Sequence, residues 1–152
     1  MKVAILIYDN FTALDIVGPY EVLSKLPDSK IYLVGAEKKC YEDKFGLKIC
    51  ADYNIDEINQ VDVLLIPGGF GIDNLLKDKK IIHWVQKVDK TTLWTTSVCS
   101  GSLLLAEAGL LENKECTTHW NRKEQLSKYN VSIKDERYVQ DNKIITSEYQ
   151  QG

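Results

Sequence analysis

The sequence predicts an α/β fold, a doubly wound, mostly parallel sheet sandwiched by helices. Three observations lead there. Short β-prone runs alternate with amphipathic stretches along the chain, the pattern of strand–helix–strand units. Several strand candidates are apolar at successive positions, and such strands need cover on both faces, as parallel sheets have. At 152 residues the chain is long enough for one domain with a real core. No repeat, linker or low-complexity segment divides it.

Taken in order, Val3 to Tyr8 is six successive apolar or aromatic residues and reads as the first buried strand. Leu14 to Leu26 reads as a helix, with Gly18 and Pro19 near its first turns. Lys30 to Val34 is a second strand. Cys40-Tyr41 and Leu47 to Cys50, separated by a turn containing Gly46, suit a small hairpin. Val61 to Ile66 is another buried strand and runs into Pro67-Gly68-Gly69-Phe70-Gly71. Ile72 to Leu76 and Lys80 to Val88 read as helices, and Leu93 to Val98 returns to the sheet. After Cys99, Ser100 and Gly101 lead into Leu103 to Ala108, which are strong helix formers. Arg122 to Tyr129 reads as a short polar helix. Tyr138-Val139 and Lys143 to Thr146, joined by Asp141-Asn142, suit a second hairpin. Ligands of such sheets bind outside the carboxyl ends of the strands, so the ends after Tyr8, Ile66 and Val98 are where function is expected.

Charge and composition narrow the function classes. Nineteen Lys and Arg against 22 Asp and Glu give a net charge of −3 without a basic cluster, which argues against nucleic acid as a partner of this segment. No apolar run approaches the length needed to cross a bilayer, so no membrane association is expected. Met1 to Tyr8 is too short in its apolar part, and too lacking in a small-residue cleavage site, to be a signal peptide. The four cysteines form no CxxC pair and no disulfide-framework spacing, which points to a reduced, cytoplasmic protein.

Four features carry chemistry. Cys99 stands where a buried strand meets a helix, and free N–H groups and a positive dipole end there would stabilise a thiolate. The sharp turn into Ser100-Gly101-Ser102 has the form of a nucleophile elbow, although strand ends also carry inert cysteines. Cys40, Cys50 and Cys116 read as small hydrophobes. The Gly68-Gly69-Phe70 loop is a turn cluster, or a set of backbone donors for a developing negative charge; a phosphate cradle is weaker, since GxGxxG and GKS/GKT are absent. Asp15 is either a carboxylate that favours a helix start or, among Phe11, Leu14, Ile16 and Val17, a costly buried charge that needs a partner and titrates high. Glu21, six residues on, reads as structural. His119 would matter only by contact with Cys99 in space, and His83 reads as exposed or locally satisfied. A zinc pair of Cys116 and His119 lacks a second ligand pair, so no metal is expected.

Together, "LDIVGPYEVL", "LLIPGGFG", "TSVCSGSLLLAEAGLL" and "TTHW", in that order, resemble the ThiJ/PfpI superfamily from Met1 to about Ser147. That group has a flavodoxin-like, class I glutamine-amidotransferase-like fold. "LDIVGPYEVL" with "CSGS" and "TTHW" looks most like its isocyanide-hydratase branch. The resemblance implies Cys99 as the elbow nucleophile and Asp15 as a carboxylate that hydrogen-bonds the thiol and relays protons. It implies the backbone N–H groups of Gly69 and Ser100 as an oxyanion-hole-like pair, and places His119 near the nucleophile. Peptidase members have histidine directly after the nucleophile, where this chain has Ser100.

The implied activity is a cofactor-independent hydratase or hydrolase acting on a small molecule, isocyanide hydration to an N-substituted formamide being its specific form. Glyoxalase or deglycase chemistry on α-oxoaldehydes is the second enzymatic option. A ligand-sensing or redox-sensing domain is the non-enzymatic one. Members of the group continue past Thr146 with small residues and a further helix and strand. This chain reads Ser147-Glu148-Tyr149-Gln150-Gln151-Gly152, so the expectation is a domain lacking the usual C-terminal elements, and a homodimer that covers the exposed surface.

Overall fold

The computed structural model describes residues 1–148; Tyr149 to Gly152 of the C-terminal stretch lie outside the described residues. In chain order the elements are β1 (Lys2–Leu6), α1 (Ala13–Leu23), β2 (Lys30–Gly35), β3 (Cys40–Glu42), β4 (Lys48–Cys50), β5 (Tyr53–Asn54) and β6 (Val63–Ile66). There follow α2 (Ile72–Leu75), α3 (Lys79–Asp89), β7 (Trp94–Val98), α4 (Ser102–Glu107), β8 (Glu115–Cys116), α5 (Lys123–Leu126), β9 (Ser132–Ile133), β10 (Tyr138–Asp141) and β11 (Ile144–Ser147).

The main sheet has the order β10-β11-β7-β6-β1-β2-β5, with every neighbouring pair parallel except β10 with β11. From β1 the chain moves outward to β2 on one side, then crosses to β6 on the other. The order therefore reverses beside β1, and the crevice that ligands use in such sheets lies at the carboxyl ends of β1, β6 and β7. The apolar strands behave as their sequences require. Val3 to Leu6 and Leu64 to Ile66 are almost wholly withdrawn from solvent. Asp78 opens α3, its Oδ1 accepting from the N–H groups of Lys80 (3.1 Å) and Ile81 (3.3 Å). Ile81, Trp84, Val85 and Val88 then form the buried stripe of that helix.

Several boundaries move for local reasons. The first helix stops at Leu23 rather than Leu26, and the chain tightens into i→i−3 bonds from Lys25 to Val22 and from Leu26 to Leu23. Pro19 lies in the body of that helix, to which it gives no N–H. The polar helix expected over Arg122 to Tyr129 shrinks to α5, entered by a 3₁₀ turn at Trp120–Arg122 and left by i→i−3 turns at Lys128 and Tyr129. Both expected hairpins form, β3 with β4 and β10 with β11. The two-residue strands β5, β8 and β9 carry too little pattern to be read from sequence.

One expectation is overturned. Cys40 and Cys50 are not buried hydrophobes but a disulfide across the exposed β3–β4 hairpin. The antiparallel register sets them directly opposite, and a spacing of ten residues does not reveal register. The cysteines therefore give no support to a reducing compartment. Cys116 is fully buried, as expected. Among the described residues no helix is long and apolar enough to cross a membrane.

Leu104, fully buried on α4 beneath the elbow, is expected to cost about 2–5 kcal/mol when cut to Ala. Phe45→Ala, at a side chain 89% exposed, should stay within about 0.5 kcal/mol. Urea unfolding midpoints of the two variants check the pair.

Candidate active site

The site is assembled from the three strand ends. Cys99 follows β7 with a φ of 57°, the left-handed region, and passes directly into a 3₁₀ turn, Cys99–Gly101, that leads into α4. A side chain held there costs on the order of 1–3 kcal/mol and persists only where the surroundings over-determine it. They do so here: Thr118 Oγ1 donates to the Cys99 carbonyl at 3.0 Å, and Ser102 Oγ donates to it at 3.4 Å.

After β6 the loop of Gly68 and Gly69 comes against the elbow more closely than any other residue type allows. A Cβ on Gly68 would lie 2.6 Å from Cys99 Cβ, 2.7 Å from Ser100 N and 2.9 Å from Asp15 Oδ2. Gly69 has φ 152°, and a Cβ there would lie 2.3 Å from the Asn10 carbonyl oxygen. Tyr8, beyond β1, fixes the loop from below by donating its hydroxyl proton to the Pro67 carbonyl at 2.6 Å.

Asp15 sits in the first turn of α1 with only 3% of its surface exposed. Its Oδ2 accepts the Gly68 N–H at 3.1 Å, and the carboxyl hydrogen-bonds the Cys99 thiol. Burial raises its pKa from 3.8 to about 6, against the lowering effect of those two hydrogen bonds. The costly carboxylate thus has the partner that its apolar neighbours demanded.

The thiol differs from expectation. Burial, and then the negative charge of Asp15, push Cys99 up to about 12, while the backbone N–H and hydroxyl of Ser100 and the charge of Arg122 pull the other way. The expected thiolate at a helix N-terminus is therefore replaced by a buried thiol. The reason is structural: the sulfur is largely withdrawn from water, and the Asp15 carboxylate beside it opposes a second negative charge. A carboxyl that titrates near 6 beside the thiol is placed to accept a proton from it.

A cleft of about 90 Å³ opens over Cys99, walled by Thr12, Gly69, Phe70, Ser100 and His119, with Asn121 and Arg122 closing the far side. Asp15 is absent from these walls; it lies behind the thiol. Gly69 N–H donates to Ser100 Oγ at 3.0 Å and Gly68 N–H to Asp15, so of the expected oxyanion pair it is the Ser100 N–H that points at the sulfur. His119 lines the cleft with its Nδ1 against Asn121, accepting that residue's backbone N–H at 3.2 Å. Phe70 stands at the rim, mostly exposed, beneath the Lys44 ammonium at 4.9 Å. Glu21 makes a surface ion pair with Lys25, and His83 is exposed on α3, both away from the cleft.

Arg122 was not singled out from the sequence. Its fork grips Asp73 on α2 with both nitrogens at 2.9 Å, Nη1 also donating to Gln125 Oε1 at 2.7 Å. That pairing holds the Asp73 carboxyl below its usual range and raises the guanidinium. Tyr8 was also missed, and burial, followed by Asp15 and Cys99, raises its phenol well above 10. Among the described residues no group of three or more His, Cys, Asp or Glu is placed to hold a metal ion.

A strand-end cysteine in a left-handed turn, backed by a buried carboxylate and faced by a double-glycine loop, is the arrangement the resemblance implied. The DJ-1/PfpI family profile matches residues 1–151. The chain belongs to the DJ-1/PfpI family. A DJ-1/PfpI relative in sequence, the isonitrile hydratase of Pseudomonas putida, is 31% identical over 146 residues, covering 96% of this chain and 64% of that protein. A ThiJ/PfpI family protein from Pseudomonas syringae superposes with a TM-score of 0.93 at 30% identity, over 97% of this chain and 62% of that one. This chain thus spans just under two thirds of both. DJ-1beta of Drosophila melanogaster shares the fold, with a TM-score of 0.87 at 19% identity over 97% of this chain and 81% of that one.

The Asp15 carboxyl predicts how stability responds to pH. Its folded pKa of about 6 exceeds the ordinary 3.8, so between these values the folded chain keeps a proton that the unfolded chain has lost. Its contribution is fully present below pH 3.8 and falls away as pH rises through about 6, a loss of about 3 kcal/mol. Asp15→Asn, which retains an acceptor for Gly68, should therefore be more stable than the parent at pH 8, with the gap closing at pH 4. Chemical denaturation at the two pH values measures it.

Proposed function

We propose that this domain is a cofactor-independent cysteine hydratase of the DJ-1/PfpI family that adds water to a small electrophilic carbon, with an isocyanide as substrate. The observation that carries this reading is the Asp15–Cys99 hydrogen bond inside a strained elbow. It supplies a nucleophile and a proton carrier without any further group. The similarity to isonitrile hydratase supports the choice of substrate, and the cleft of about 90 Å³ suits a small molecule.

The proposed sequence balances. Asp15 takes the Cys99 proton as the sulfur attacks the terminal carbon of R–N≡C, and returns it to that carbon, giving the thioimidate R–N=CH–S–Cys99. Water adds to the same carbon, passing one proton to Asp15 and thence to nitrogen. The C–S bond then breaks and the hydroxyl proton returns to sulfur. The product is R–NH–CHO, and the thiol is regenerated. The Ser100 N–H, which points at the sulfur, offsets negative charge as it develops. His119 borders the cleft and accepts the Asn121 N–H, which fixes the start of the turn that carries Arg122.

The same proposal includes a homodimer through the outer face of α1. Leu14 (60%) and Val22 (66%) are exposed there, with Val17 between them. Gly18, in the helix interior, has only Leu14 Cδ1 within 4.0 Å of where its Cβ would be. A helix-interior glycine costs about 1 kcal/mol, and close approach of a second copy accounts for it. Sedimentation should show a dimer that Val17→Glu dissociates; a parent chain that is monomeric at micromolar concentration rejects this.

Turnover of a small isocyanide is the direct test of the chemistry. Cys99→Ala should abolish it, Asp15→Asn should lower it about 10²–10⁴-fold, and Cys116→Ala should leave it nearly unchanged. Because the base acts unprotonated, kcat/KM should rise with pH through about 6, following the raised Asp15 pKa. Undiminished turnover by Cys99→Ala, or a profile flat across that range, rejects the mechanism.

A further inference from the structure

We propose that Arg122 makes this cleft selective for small electrophiles that carry a carboxylate one or two carbons from the reacting centre. The proposal rests on the reading of Cys99 as nucleophile and adds a substrate class to it. Among the described residues Arg122 is the only Lys, Arg, Asp or Glu in the cleft lining. Its guanidinium cannot swing away, because Asp73 holds both terminal nitrogens and Gln125 holds one. Three of its five N–H groups are engaged in this way, and the remaining Nε–H and second Nη2–H form the guanidinium's other two-donor edge, which in a fixed plane recognises carboxylate better than a mobile ammonium does.

The placement of the negative groups favours the same reading. Asp73 is half exposed while Arg122 is only 17% exposed, so solvent screens the acid more than the base. Cys99 feels the charge of Arg122. The other carboxylate, Asp15, sits behind the sulfur and becomes neutral when it takes the thiol proton. At the moment of attack the cleft lining therefore carries one fixed guanidinium, whose counter-charge on Asp73 lies outside the lining, and no carboxylate. With about 90 Å³ available, the carboxylate and the electrophilic carbon must be close neighbours in the substrate.

Competing alkylation tests this without relying on turnover. Iodoacetate and iodoacetamide differ little in size and differ in charge. Each forms a C–S bond to Cys99 with loss of iodide, and mass spectrometry reads the rate at that residue. Relative to glutathione as a free-thiol reference, Cys99 of the full chain should favour iodoacetate. Arg122→Gln should lower that preference about tenfold, Arg122→Lys should retain part of it, and iodoacetamide should change much less. On the parent protein alone, millimolar acetate should slow labelling by iodoacetamide and acetamide should not. A preference indifferent to Arg122, or equal protection by acetate and acetamide, overturns the anion selectivity and leaves the nucleophile reading standing. Failure of both reagents to label Cys99 overturns the two together.

Discussion

The contact on which the site depends is the one between Asp15, the Gly68 N–H and the Cys99 thiol. A carboxylate with 3% exposure has lost nearly all its water, and only hydrogen bonds to its oxygens make its ionised form tolerable. One comes from the loop after β6 and the other from the elbow after β7. Removing either partner would leave a buried charge in apolar surroundings. The carboxylate therefore constrains the two strand ends as much as they constrain it. Gly68 is the geometric consequence, because a single methyl group there would collide with Asp15, with Cys99 and with the backbone nitrogen of Ser100.

Charge sets the chemistry of the pair. Thiol and carboxyl share a small volume, and the negative charge of one opposes that of the other, so the resting site holds its proton on sulfur. A free thiolate would be attractive to any oxidant or alkylating agent. In the proposed mechanism a protonated thiol, beside a carboxyl that titrates at about 6, becomes nucleophilic only as its proton leaves. The φ of 57° at Cys99 places the residue in the lining of the cleft while its backbone turns toward α4.

Much of this was legible in the sequence, and for identifiable reasons. Continuous apolar strands announced the parallel sheet, and Asp15 among Phe11, Ile16 and Val17 announced a partnered carboxylate. Cys99 between a β-prone run and Leu103-Leu104-Leu105 marked the elbow. Other features depend on contacts made across the fold. Arg122 reads as one more charge in a polar stretch until α2 brings Asp73 to it, 49 residues away in sequence. Tyr8 reads as the end of a strand until its hydroxyl meets Pro67. The Cys40–Cys50 bond depends on a hairpin register that one residue of slippage would destroy. The thiol's high pKa is a sum of burial and a neighbouring charge, neither of which local sequence contains.

The tethers around the cleft form a closed ring. Asp15 joins α1 to the glycine loop through Gly68, and the loop joins the elbow where Gly69 N–H meets Ser100 Oγ. The elbow joins the next wall through Thr118, which donates to the Cys99 carbonyl, and that wall is itself fixed to β11 by the Thr117 N–H bonded to Thr146 Oγ1 at 2.9 Å. Arg122 completes the circuit by gripping Asp73 on α2, the helix that follows the glycine loop. Each segment is held at two points by its neighbours, so none can shift without stretching a bond to the next. A ring of this kind is what allows an elbow residue to keep a conformation that costs on the order of 1–3 kcal/mol. It also explains why a short loop with one histidine and one arginine belongs to the site although its sequence, read locally, describes only a polar turn.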